Sequence, residues 1–257
     1  MLIDVWPASW SRLARSNATL AAGALLLIAF LWALGSLLAL APEPIGSNAQ
    51  QFAEGARTTL GLTLVAGSIG LVLGLAAALG RTSRAWALRR IASFYIWLIR
   101  GTPLLVQILF VYFALPVLVP GLTLPDFAAA VVALSLNVGA YNAEVIRGAL
   151  LAVPQGQRDA ARALGLKPPQ VLFGVVLPQA FRVALPALAG NVVALLKDSS
   201  LAFAIGVVEL TNVGNRVQAV TFQPVATLAT TACIYLILTT LLTQFSAALE
   251  HRMDRAL

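Results

Sequence analysis

Residues 156–178 read GQRDAARALGLKPPQVLFGVVLP, the longest polar interruption in a chain whose other segments are almost wholly apolar. A short helix is written inside this stretch. Arg158 and Asp159 are expected in its first turn, and Ala160, Ala161 and Ala163 favour helix. Gly165 is placed to end it, with Pro168 and Pro169 beyond. Ala160, Ala163 and Leu164 fall on one small apolar face. Such a helix has no reason to enter lipid. It reads as a knob offered to a soluble partner.

Outward from this loop the chain divides into apolar runs at 19–41, 58–80, 91–118 and 127–153, a fifth ending near 196, and a sixth at 224–249. About 20 apolar residues, at about 1.5 Å each, cross a hydrocarbon core of about 30 Å. The fold class is therefore an all-α integral membrane protein with six transmembrane helices. The first run reads as a retained helix. Ala39-Leu40-Ala41 resembles a cleavage site, but the run is longer than a signal core of about 7–15 residues. Before it lies a leader with Trp6, Trp10, Arg12 and Arg15, residues suited to a membrane interface. A polar loop is expected at 42–51. Glycines at 61, 67, 70, 74 and 80 of the second run permit close helix contact. Arg100, Pro103 and Gln107 interrupt the third run.

Composition agrees. The chain is 60% hydrophobic and 11% charged, against about 25% charged in soluble domains. The one Cys, Cys233, excludes an internal disulfide and is expected as a packing residue. With one His, His251, a metal site built from His and Cys is not expected. The net charge of +7 is explained by topology rather than by nucleic acid. With the N-terminus inside, the inner segments hold Arg12, Arg15, Arg81, Arg84, Arg89, Arg90, Arg158, Arg162, Lys167, Arg252 and Arg255, and the outer ones only Arg57 and Arg216. Both termini are then cytoplasmic, and so is the loop at 156–169. No string of the form GxxxxGK[ST] occurs, so the usual phosphate cradle of an ATPase is missing.

Asp159-Ala160-Ala161, Gly165 and Leu177-Pro178 resemble the cytoplasmic EAA loop of permease subunits of bacterial ABC importers, with Asp159 where that family usually has Glu. The likeness continues in order through Arg100–Gln107 (RGTPLLVQ), Tyr141-Asn142-Ala143-Glu144 with Arg147-Gly148, Lys197-Asp198-Ser199-Ser200-Leu201 and Val208-Glu209-Leu210. Together these blocks resemble the polar amino-acid branch, the histidine, glutamine and arginine permeases. The resemblance implies a five-helix permease core at 55–250, an added N-terminal helix within 1–54 and a short tail at 251–257. It implies a transporter subunit of the bacterial inner (cytoplasmic) membrane, not an enzyme. This chain would bind no cofactor, and ATP and Mg would sit on a separate ATPase subunit. Expected partners are two ATPase copies, a second permease subunit, identical or homologous, an extracytoplasmic binding protein and the amino-acid substrate. The loop helix would be the coupling helix, with Arg158, Asp159, Ala160, Ala161 and Gly165 as its ATPase-coupling residues.

The same resemblance proposes Pro103, Gln107, Glu144, Asp198 and Ser199 as substrate-binding residues. Physical chemistry supplies a reason. Charges near mid-bilayer cost about 2.5–3.5 kcal/mol on insertion scales and mark pathways. Proline frees a carbonyl that is tolerated only against protein or a watery cavity. A polar amino acid, basic ones included, needs acidic acceptors, which Glu144 and Asp198 supply. Plainer readings stand beside this one: a simple kink at Pro103, and pairing of Glu144 with Arg147 or of Lys197 with Asp198. The alternative function is an ion- or proton-coupled secondary carrier using Glu144 and Asp198 as relays. Such carriers are often built from internal repeats, and none is found here.

Overall fold

The computed structural model describes residues 12–253. Trp6 and Trp10 of the leader, and Arg255 of the tail, lie outside the described residues. Among the described residues the elements are helical throughout. Five helical stretches are long and apolar enough to cross a membrane: Asn17–Leu38, Gly46–Thr82, Asp126–Ala152, Pro168–Ile205 and Pro224–Glu250. A sixth is a bent pair, so the fold is that of a polytopic helical membrane protein.

Helix α1 (Arg12–Leu38) is followed by α2 (Ala49–Thr82), which begins well before the expected start at residue 58. Its first turns are amphipathic. Phe52, Ala53 and Ala56 are buried while Gln50, Gln51, Glu54 and Arg57 are exposed, and these polar residues mask the helix in a reading for apolar runs. The expected third span is two helices, α3 (Trp86–Arg100) and α4 (Leu104–Leu109), set at 109° to each other. A π-helical turn at Phe110–Ala114 leads into α5 (Leu115–Leu118). Helix α6 (Asp126–Ala152) matches the fourth span.

The short α7 (Gln155–Ala163) follows at once, then α8 (Pro168–Val171), a second π-helical turn at Leu172–Val176, and α9 (Leu177–Asp198). Each π turn lies just ahead of a proline, Pro116 or Pro178, where the missing N–H already loosens the i→i−4 ladder. A 3₁₀ stretch at Ser199–Ile205, α10 (Leu210–Thr221) and α11 (Pro224–Met253) complete the chain. Cys233 is exposed on α11 rather than packed inside.

Packing centres on α2 against α6. A Cβ on Gly74 would lie 2.6 Å from Asn142 Cβ and 3.0 Å from the Gly139 carbonyl, and one on Gly70 would run into Val138. Gly70 and Gly74 thus face the Ser135–Ala143 stretch of α6, the small-residue spacing that lets membrane helices touch backbone to backbone. Gly61 has open space around it, so not every glycine of the run serves this contact. Outside the two packed faces, Glu209 is fully buried at the N-cap of α10. It accepts from Thr211 N (2.8 Å), Asn212 N (2.7 Å) and Tyr235 Oη (2.8 Å). Burial pushes its carboxyl above the ordinary 4.5, against the pull of these donors.

A polar cavity at a broken helix, and an anchored loop helix

The break between α3 and α4 follows from one missing proton. In a continuous helix the N–H of residue 103 would donate to the Ile99 carbonyl. Pro103 has none. The side-chain amide of Gln107 takes its place, donating from Nε2 to the Ile99 carbonyl at 2.7 Å, and also to the Thr102 carbonyl (3.1 Å) and Thr102 Oγ1 (2.9 Å). Gln107 Oε1 then accepts from Asn137 Nδ2 at 3.0 Å, which ties the bend to the middle of α6.

Around this bend lies a cavity of about 400 Å³ lined by Thr102, Pro103, Asn137, Tyr141, Asn191 and Asp198, with Leu104, Val138, Ala194 and Leu195. The volume falls within the range of small-molecule sites. Asn137 Nδ2 is spent on Gln107, and Asn191 Nδ2 on Asn142 Oδ1 (2.8 Å). The two amide oxygens accept no hydrogen bond among the described residues. With the Asp198 carboxylate they leave the cavity rich in acceptors. Asp198 has no ion-pair partner within 4 Å among the described residues, so the expected pairing with its neighbour Lys197 is not formed as a contact. The Arg100 guanidinium lies over the Tyr141 ring, 5.1 Å from its centroid.

The structure therefore brings Pro103 and Asp198 together on one cavity and distributes the other expected residues differently. Gln107 stands behind the wall and holds it. Ser199 is fully buried, and its hydroxyl donates to the carbonyl of Leu196, at the end of α9, at 2.8 Å. Glu144, one turn beyond Tyr141, does not line the cavity. One oxygen accepts from Arg147 Nε and Nη2 at 3.1 and 2.8 Å, and the other pairs with Arg81 at the end of α2. The sequence reading passed over Thr102 and Asn191. Asn191 is signalled by position alone, two helical turns before Asp198 on the same face of α9.

The loop helix α7 is present and starts at Gln155, three residues ahead of Arg158, so Arg158 and Asp159 lie past its opening. It ends in a Schellman motif. Gly165 has φ +80°, its N–H donates to the Arg162 carbonyl (2.9 Å), and the Leu166 N–H donates to the Ala161 carbonyl (3.2 Å). Two of the expected partner contacts face the chain's own body. Ala161 is buried with Val153 and Val171, since the inward face of so short a helix must be small. Arg158 Nη2 donates to the Leu150 carbonyl at 2.5 Å, satisfying an orphan carbonyl at the end of α6. Asp159, Ala160, Ala163 and Leu164 are exposed, and Leu164 is 82% exposed. Asp159 accepts from Gln155 Nε2 (3.0 Å) and lies 3.5 Å from Arg162 Nη1.

A bundle of apolar helices with a polar cavity at a broken span, and a polar helix between two spans, defines a membrane transport subunit. Comparison with known proteins gives the lineage. Over residues 70–255 the chain matches the family described as binding-protein-dependent transport system inner membrane component, and it belongs to that family. It is 42% identical over 200 residues to the glutamine transport system permease protein GlnP of Escherichia coli (strain K12), covering 78% of this chain and 91% of that protein. It is 40% identical over 198 residues to the L-cystine transport system permease protein TcyB of Bacillus subtilis (strain 168), covering 77% and 84%. A crystal structure of an amino acid ABC transporter with histidines superposes with a TM-score of 0.76 at 37% identity, covering 80% of this chain and 95% of that one. This membership sets the chain among binding-protein-dependent transport components and does not favour an ion-coupled carrier.

Proposed function

We propose that this chain is the membrane-spanning permease subunit of an ABC importer of polar amino acids, basic ones included. The observation that carries the substrate class is the acceptor-rich cavity. Asp198 and the free amide oxygens of Asn137 and Asn191 suit an ammonium or another group rich in N–H donors. Arg100, held over the cavity-lining Tyr141, offers a cation for a carboxylate. The relatives named for glutamine and cystine support an amino acid as cargo. Asp198 is the acidic ligand and Pro103 shapes the wall. Gln107 keeps the wall in place, and Ser199 supports the end of α9 from behind. Glu144 stays out of the cavity as long as Arg81 and Arg147 hold it.

The loop helix α7 is the coupling element. Its exposed Asp159, Ala160, Ala163 and Leu164 dock on a separate ATPase subunit that binds ATP and Mg, while Ala161 and Arg158 pass its displacement to α6. Gly165 sets the exit geometry. The working assembly has two permeases, identical or homologous, two ATPase subunits and an extracytoplasmic binding protein. The permease core occupies 55–250 with α1 added before it, and both termini are cytoplasmic.

The test is uptake by the purified, reconstituted complex. Asp198→Asn removes a charge-assisted contact of about 1.5–3 kcal/mol, so the apparent affinity for amino acid falls at least tenfold while basal ATP hydrolysis persists. Unchanged uptake refutes the substrate site.

A further inference from the structure

The outer face of α3 carries a pattern that substrate transport does not use. Trp86, Arg90, Phe94 and Trp97 recur at i, i+4, i+8 and i+11, and all are exposed. The Arg90 guanidinium stacks over the Trp86 ring at 5.7 Å, and the Phe94 and Trp97 rings lie 5.9 Å apart. The other side of α3 is its packing face. Ala92 and Ile96 are buried there, and Tyr95 Oη donates to the Leu136 carbonyl at 2.7 Å. Arg84 and Arg89, two residues before and three after Trp86, are exposed as well. No Asp or Glu occurs between Glu54 and Asp126, and Arg81 is committed to Glu144. Among the described residues, Arg84, Arg89 and Arg90 form no ion pair with a carboxylate.

Length and charge together identify what fits. From Trp86 to Trp97 the stripe rises about 16 Å, at about 1.5 Å per residue. That is one leaflet of a hydrocarbon core about 30 Å thick. The cationic end holds three guanidiniums, which bind phosphate oxygens in forked pairs. Its Trp is of the kind that settles at headgroup depth. The far end is wholly aromatic. We infer that this face of α3 is a binding site for one acidic phospholipid, with its phosphate among Arg84, Arg89 and Arg90 and an acyl chain along Phe94 and Trp97. The inference stands whether or not the cavity binds amino acids.

The test uses the whole transporter, purified with its partner subunits and stripped of lipid. Bound lipid is counted by native mass spectrometry as phosphatidylglycerol or phosphatidylcholine is added back. The native protein is expected to retain phosphatidylglycerol preferentially. Each basic side chain near an anionic lipid surface strengthens binding roughly fivefold. The triple variant R84Q/R89Q/R90Q is therefore expected to lose about a hundredfold in affinity for phosphatidylglycerol, with phosphatidylcholine unchanged. The triple lysine variant keeps most of it. If the glutamine variant does not assemble, Trp86→Ala is read instead and should lower phosphatidylglycerol retention several-fold. Unchanged retention in the triple glutamine variant, or in Trp86→Ala where that is read instead, overturns the inference. So does full displacement of the lipid by millimolar inorganic phosphate, which would indicate a free-anion site. Release of a partner subunit with lipid binding intact would also overturn it, by making the patch a protein contact.

Discussion

Replacing Gln107 with methionine tests whether a side chain stands in for the N–H that Pro103 lacks. Methionine matches glutamine in length and keeps the apolar packing. It takes away the amide that donates to the Ile99 carbonyl at 2.7 Å and accepts from Asn137 at 3.0 Å. An unpaired, part-buried carbonyl costs about 1–3 kcal/mol. Loss of a hydrogen bond between membrane helices adds about 0.6 kcal/mol. The sum, about 2–4 kcal/mol, shifts the population of the bent form roughly 30-fold to a few hundredfold, at about 1.4 kcal/mol per tenfold. Thermal unfolding of the purified complex measures the stability term, and amino-acid uptake the functional one. A double-mutant cycle sharpens the test. Pro103→Ala restores an N–H for Ile99, so Gln107→Met should cost at least about 1 kcal/mol less in that background. Native melting of Gln107→Met, or strict additivity with Pro103→Ala, refutes the reasoning.

The other predictions concern packing, coupling and titration. Gly74→Leu forces a side chain into Asn142 and the Gly139 carbonyl, so membrane-inserted, correctly folded protein should fall sharply in detergent-solubilised yield, whereas Gly61→Ala, with open space, should not change it. Gly165→Asp puts a side chain at φ +80°, at a cost of roughly 1–2 kcal/mol. ATPase association and substrate-stimulated hydrolysis should both weaken, while substrate binding in the cavity persists. The Glu209 carboxyl titrates above its ordinary 4.5 because it is buried. A group that holds its proton more tightly when folded stabilises the fold below the unfolded value and loses that stabilisation as pH rises through the folded one. Melting temperature should therefore decline with rising pH from about 4.5 upward, and Glu209→Gln should flatten the decline.

Much of the architecture was legible because lipid imposes a coarse rule. Uncharged runs had to be spans, and the one polar insert near 156–169 had to be a helix outside them. The start of α2 was hidden because half of its first turns are polar. Pro103 announced a break but not its 109°, since the angle depends on what α4 packs against. Polar residues inside spans read as candidate ligands, and the structure gives several of them a local partner. In a membrane the first claimant on a buried hydroxyl or amide is the chain's own backbone. Ser199 is taken by Leu196 and Gln107 by Ile99. Asp198 cannot donate to a carbonyl when ionised, and it is the one that remains available. In α7 the alanines are alike in type, yet only Ala161 faces inward, because the packing against Val153 and Val171 decides which face is covered.

Glu144 has a consequence for motion. One carboxylate shared by guanidiniums from α2 and α6 rivets the foot of one rod to the other, while the notched glycines deny them any sideways slip. The pair behaves as a chassis. Shape change during a cycle must then be carried by the thin joints mounted on it, the proline elbow ahead of α4 and the loosened coil between α8 and α9.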